Sequence, residues 1–191
     1  ISRIGTGTDK IDVEQASAQG IMVANVPDFA TQEVADHTLA LLLSAARKLK
    51  YYESCMRSGH RPFDTGIIRR LSTQTLGIIG FGHIGRAVAA RARAFGLRVM
   101  VCDPCITAEQ AAASGVQAAD RDAVLTEADY LCLLCPLTPA TRGMIAMPEF
   151  LKMKRTAVLI NTGRGELVNE RDLAGALKTG VIAYAGLDVF G

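Results

Sequence analysis

The sequence predicts an α/β protein built on a doubly wound parallel sheet. Three observations predict it. Apolar, β-branched runs recur between residues 75 and 189, helical stretches separate them, and a glycine-rich turn joins the first run to the first helix. Runs with almost no polar residue suit strands buried on both faces, as in a parallel sheet covered by helices. Six such runs are enough for a doubly wound sheet.

Taken in order, the chain opens on something separate. "ISRIGTG", the helix-like "DVEQASAQG" and "IMVAN" predict a strand–helix–strand piece over residues 1–26, closed by Pro27. One long helix is expected from Thr31 to Arg57, with Val34, Thr38, Leu41, Leu42, Ala45, Leu49 and Tyr52 at helical spacing. Its Leu39–Ala46 part is apolar nearly all round, which predicts burial between domains or against a second subunit. Gly59 to Thr73, rich in Gly, Pro, Arg and Ser, reads as a loop. Strands follow at Thr75–Ile79, Arg98–Asp103, Asp129–Cys135, Ala157–Asn161 and Ile182–Val189, with a shorter one at Gly115–Ala118. Between the first two, "IGRAVAARARAFG" puts Ile84, Val88, Ala92 and Phe95 on one stripe and stops at Gly96. "NERDLAGALKTG" begins with Asn169 as N-cap and stops at Gly180.

Composition narrows the function classes. The 191 residues are 49% hydrophobic and 21% charged, with a net charge of +2. That leaves no basic excess to neutralise many phosphates, and scarce aromatics with no Trp argue against base stacking. The longest apolar run, "LALLLSAA", is too short to span a bilayer, and no secretory signal opens the chain. A cytoplasmic protein is expected, without nucleic-acid or membrane partners. The first residue is not Met, so a fragment is expected. Cys102-x-x-Cys105 and Cys132-x-x-Cys135 mimic a four-cysteine zinc site. Both pairs end apolar runs, where residues i and i+3 point to opposite faces, so neither pair can chelate one ion. No metal is expected.

Two segments carry chemistry. Gly80-x-Gly82-x-x-Gly85 lies between a strand and a helix, the context a dinucleotide-binding turn requires. Gly80 permits the tight turn, Gly82 lets backbone approach a pyrophosphate, and Gly85 lets the helix pack on the strand. The helix start, at His83 and Ile84, offers free N–H groups and partial positive charge to phosphates. Asp103, 18 residues after Gly85, ends the next strand, where a carboxylate takes the hydroxyls of an adenosine ribose and repels a 2′-phosphate. NAD rather than NADP is therefore expected. In "LINTGRGELV", Arg164 stands between Gly163 and Gly165 just after a strand, at the end of the sheet where ligands sit. It reads as a ligand-holding cation flanked by glycines that clear space, with a plain surface turn as the alternative.

The ordered motifs "GTGTDKID", "NVPDFATQEVADHTLALLL", "GIIGFGHIGRAVA", "CPLTPATRGMI", "LINTGRGELVNE" and "GLDVF" resemble the D-isomer-specific 2-hydroxyacid dehydrogenases along essentially the whole chain. The phosphoglycerate, glycerate, formate and phosphite dehydrogenases and the C-terminal binding protein corepressors share that fold. The resemblance implies a Rossmann domain over residues 27–191 and a strip of a flavodoxin-like substrate domain over residues 1–26. It implies an NAD-dependent oxidoreductase acting on a small 2-oxo or 2-hydroxy acid, usually as a homodimer. It places Thr6 and Gly7 by the substrate carboxylate and nicotinamide, Cys135 and Pro136 on the adenosine side, and Thr141 among the cofactor contacts. Thr162 and Gly163 then approach the nicotinamide ribose, Asp188 binds the carboxamide, and Arg164 is the catalytic arginine. A planar guanidinium can grip a carboxylate while polarising the adjacent ketone. Negative charge grows on that ketone oxygen during hydride transfer, so a fixed cation there favours the transition state.

The family's proton-donating His and its Glu partner lie downstream of "GLDVF" and have no match among His37, His60 and His83. The chain is expected to bind NAD without turning over alone. Glu166 stands where the family commonly has a small residue. An NAD(H)-responsive binding protein of the corepressor type remains the alternative function.

Overall fold

A computed structural model describes residues 1–60 and 68–191. The expected loop from Gly59 to Thr73 therefore lies partly outside the described residues. In chain order the elements are α1 (Val13–Ala18), α2 (Thr31–Ala46), α3 (Leu49–Arg57), β1 (Thr75–Ile79), α4 (His83–Ala94), β2 (Arg98–Cys102) and α5 (Ala108–Ala113). Then come β3 (Gln117–Ala118), α6 (Arg121–Glu127), β4 (Tyr130–Leu133), α7 (Met147–Phe150), β5 (Val158–Asn161), α8 (Glu170–Thr179) and β6 (Tyr184–Leu187).

The six strands form one parallel sheet in the order β3-β2-β1-β4-β5-β6. All carboxyl ends therefore lie along one edge, and the order reverses between β1 and β4, where a crevice opens. β1, β4 and β5 are buried along their whole length, as their apolar composition predicts. Two cores flank the sheet. One packs Ile78, Val101, Cys132 and Ile160 against Leu39 and Leu42 of α2 and Val88 and Ala92 of α4. The other packs Ile79, Leu131 and Leu159 against Leu125 of α6, Phe150 of α7 and Leu173 of α8. Among the described residues, no helix is long and apolar enough to cross a membrane.

Two expectations are corrected. The Thr31–Arg57 helix is broken, because Lys48 adopts the left-handed conformation (φ 53°) between α2 and α3. A straight helix over that span would run about 40 Å at 1.5 Å per residue, far past strands of four or five residues. Helix α2 buries Ala35, Thr38, Leu39 and Leu42 on the sheet and α4, whereas α3 buries nothing. Within residues 1–26 the two strands shrink to one parallel bridge, Ser2 with Ala24, beside α1. A pair this short at an open edge has too few ladder bonds to extend.

Cys102 and Cys132 lie in strands as expected, whereas Cys105 stands exposed in the turn after β2 and Cys135 follows β4, because both strands end before the apolar runs do. Cys132 packs in the core on the α2–α4 face, while Cys135 lies against the core on the opposite face. All five thiols are free.

A crevice at the carboxyl ends of the strands

The glycine turn connects β1 to α4. Gly80 has φ +98°, and a Cβ there would stand 2.4 Å from the Cys135 nitrogen, so only glycine fits. A Cβ on Gly85 would meet the Gly80 carbonyl oxygen at 2.4 Å, the close helix–strand approach expected of the third glycine. A Cβ on Gly82 would meet nothing within 4 Å. Its bareness therefore serves something other than protein packing. Among the described residues, no protein group accepts from the amides of Gly82, His83 or Ile84. An open glycine below three unclaimed amides at a helix start fits a pyrophosphate.

Asp103 follows β2 and accepts from Phe81 N (2.6 Å) and Cys105 N (2.8 Å). Each carboxylate oxygen keeps a second lone pair for a sugar hydroxyl. Phe81, Gly82, His83, Arg86, Asp103, Cys105 and Ile106 line a cavity of about 430 Å³ beside it. The His83 side chain, largely exposed, lies 3.0 Å from Asp28 in the segment before α2.

A second cavity, about 570 Å³, lies further along the crevice. Thr6, Gly7, Ile84, Cys135, Pro136, Thr162, Gly163 and Arg164 all line it, so segments far apart in the chain share one cavity. Cys135 and Pro136 thus stand with Arg164 and not in the cavity beside Asp103. Burial pushes the Cys135 thiol up to about 11, so it stays protonated at neutral pH. A third groove, about 630 Å³, opens at the amino ends of the strands beside Gln74, Tyr130, Val158 and Tyr184, away from the glycine turn and Arg164.

Arg164 donates from Nη1 to the Gly163 carbonyl and from Nη2 to Asp9 Oδ1, both at 2.8 Å. The hydrogen bond from Arg164 holds the Asp9 carboxyl below the ordinary carboxylate range. Two of five guanidinium N–H groups are engaged, and the rest remain for a ligand. Gly7 makes room, since a Cβ there would overlap Arg164 Nη2. The flanking glycines have other reasons. A Cβ on Gly165 would strike the Phe190 and Gly191 backbone, and one on Gly163 would press on the Leu133 carbonyl at 3.0 Å. The expectation that both clear space for ligands is corrected: they let their loop pack on its own protein.

Asn161, buried at the end of β5, shapes that loop by donating to the Arg164 carbonyl and accepting from Gly163 N. Thr162 contacts Thr38 of α2, hydroxyl to hydroxyl, at 2.7 Å. Asp188, half exposed, lies 3.4 Å from His37 Nε2 on the same helix. Thr141 lines neither cavity and spends its hydroxyl inside its turn, on Pro136 O and Thr138 N. Glu166 stands 4.0 Å from Arg142. Asp9, Asn161, Thr38 and His37 were not legible as site residues. Only Asn161 left a signal, a polar group ending an apolar run, which must find partners when buried.

A family model described as D-isomer specific 2-hydroxyacid dehydrogenase, NAD binding domain, matches residues 39–191. Over the whole chain, identity is 42% to a D-3-phosphoglycerate dehydrogenase of Methanocaldococcus jannaschii, of which the match covers 36%. It is 39% to a glyoxylate reductase of Korarchaeum cryptofilum, of which 58% is covered. A D-lactate dehydrogenase of Aquifex aeolicus, complexed with NAD and lactic acid, superimposes with a TM-score of 0.92 at 33% identity, over 99% of this chain and 57% of that one. The chain thus spans between about a third and three fifths of these relatives.

Proposed function

The chain belongs to the D-isomer specific 2-hydroxyacid dehydrogenase family through its NAD-binding domain, and from that premise we propose that the crevice seats NAD with its reactive ring beside Arg164, where a small 2-oxo or 2-hydroxy acid is held. The observation that carries this is the lining of one cavity by Arg164, Thr162, Ile84 and the Thr6–Gly7 loop. The amides of Gly82, His83 and Ile84 hold the pyrophosphate, and Asp103 takes the adenosine ribose. Bound nicotinamide supplies or accepts the hydride. Arg164, kept in place by Asp9, grips the carboxylate and stabilises charge on the ketone oxygen. Asp188 receives the carboxamide.

Residues 1–26 act as the edge of a substrate domain and residues 27–191 as the cofactor domain. The whole protein works as a cytoplasmic homodimer. Support for the dimer is that α3 buries no residue and leaves Leu49 and Met56 exposed.

Titration calorimetry with NADH and NADPH tests the reading. One NADH per chain should bind, at least tenfold tighter than NADPH because of the Asp103 carboxylate. Absence of NADH binding, or a preference for NADPH, would overturn it.

A further inference from the structure

The Thr38 hydroxyl lies 2.7 Å from the Val34 carbonyl oxygen and 2.7 Å from the Thr162 hydroxyl oxygen. Thr38 is wholly buried and lines none of the three cavities described above, while Thr162 lines the one that holds Arg164. Each hydroxyl has a single proton. A carbonyl oxygen has none, so its close approach to Thr38 requires the Thr38 proton to point at Val34. Thr38 then turns only lone pairs towards Thr162, and Thr162 must supply the second proton. The order runs one way, from Thr162 to Thr38 to Val34. With its proton committed inward, Thr162 shows only lone pairs to the cavity.

We propose that Thr38 is a positioning residue that makes Thr162 an obligate hydrogen-bond acceptor, selecting a ligand hydroxyl that donates to it. On the reading of the crevice as an NAD site, on which this rests, that hydroxyl belongs to the ribose nearer the nicotinamide. The packing makes the device rigid. A Cβ on Gly186 of β6 would sit 3.2 Å from the Leu41 Cβ, so α2 lies tight on the sheet and carries Thr38 to the end of β5. Valine at position 38 fills the same volume but frees the Thr162 proton to turn outward. Serine keeps the order.

The test compares NADH with ADP, which lacks the second ribose and the nicotinamide, on the wild-type chain, Thr38→Val and Thr38→Ser. Thr38→Val should weaken NADH roughly five- to tenfold, the size of one net hydrogen bond, and leave ADP within twofold. Thr38→Ser should stay within twofold of wild type for both ligands. Equal losses for NADH and ADP, unchanged NADH affinity, or failure of serine to rescue would each overturn the proposal. If Thr38→Val does not fold, Thr162→Val takes its place: selective loss of NADH supports the inference, and unchanged NADH affinity overturns it. Wild-type chain that binds neither ligand would overturn the cofactor reading itself, whereas wild-type NADH binding matched by Thr38→Val removes only the proton order.

Discussion

At the scale of single residues, the glycines separate roles that look alike in the sequence. Gly82 and Gly85 belong to one motif, yet a Cβ on the first meets open space and on the second meets the Gly80 carbonyl at 2.4 Å. Gly82→Ala should therefore leave unfolding in urea nearly unchanged while weakening NADH at least tenfold in calorimetry. Gly85→Ala should cost about 1–3 kcal/mol of stability in the same urea titration, since backbone must move. Asp9 supplies a second contrast. The hydrogen bond from Arg164 lowers its pKa below the ordinary value of about 3.9. The folded group thus binds its proton less readily than the unfolded one, so the tie stabilises the chain above that value. Its contribution fades as pH falls through the depressed value. Urea titrations between pH 3 and 6 should show Asp9→Asn with a shallower loss at the acid end than wild type, and identical slopes would refute the tie. Nothing in "GTGTDKID" marks Asp9 as the partner of an arginine 155 positions away.

At the scale of elements, local pattern and neighbours agree for the strands of the sheet and for α4 and α8, and part company over Thr31–Arg57 and the first 26 residues. β1 runs from Thr75 to Ile79, as its composition predicts, because a buried strand needs apolar residues throughout. The break at Lys48 has no glycine or proline to announce it, since it answers to the length of the sheet beneath α2. Strand position also governs the thiols. Cys132 is completely buried in β4, and burial pushes its thiol up far beyond neutrality. Cys105 lies exposed after β2. Iodoacetamide at pH 8 should label Cys105 within minutes and Cys132 only on global unfolding, read by peptide mass mapping. Equal rates would mean that β4 is not a core strand.

For the whole molecule, the doubly wound order places every strand's carboxyl end on one edge, and that edge gathers Gly80, Asp103, Cys135, Arg164 and Asp188 from five separate segments. The opposite edge carries a groove of its own but neither the glycine turn nor Arg164. Helix α3 is amphipathic, with Leu49 and Met56 more than half exposed. Sedimentation equilibrium should give a dimer whose dissociation constant rises at least tenfold in Leu49→Glu/Met56→Glu, since charges in an apolar contact stay unpaired. A monomer at every concentration would refute the dimer.

Strand runs, the glycine turn with its acid and the arginine after the fifth strand were legible because each is a local pattern, set by burial or by backbone freedom within a few residues. What reached across the chain was not. The pairing of Asp9 with Arg164, the contact of Thr38 with Thr162, the break at Lys48 and the true neighbours of Gly165 exist only once the sheet has brought distant segments together. A side chain's partner is a property of space, and sequence records only the order in which residues arrive there.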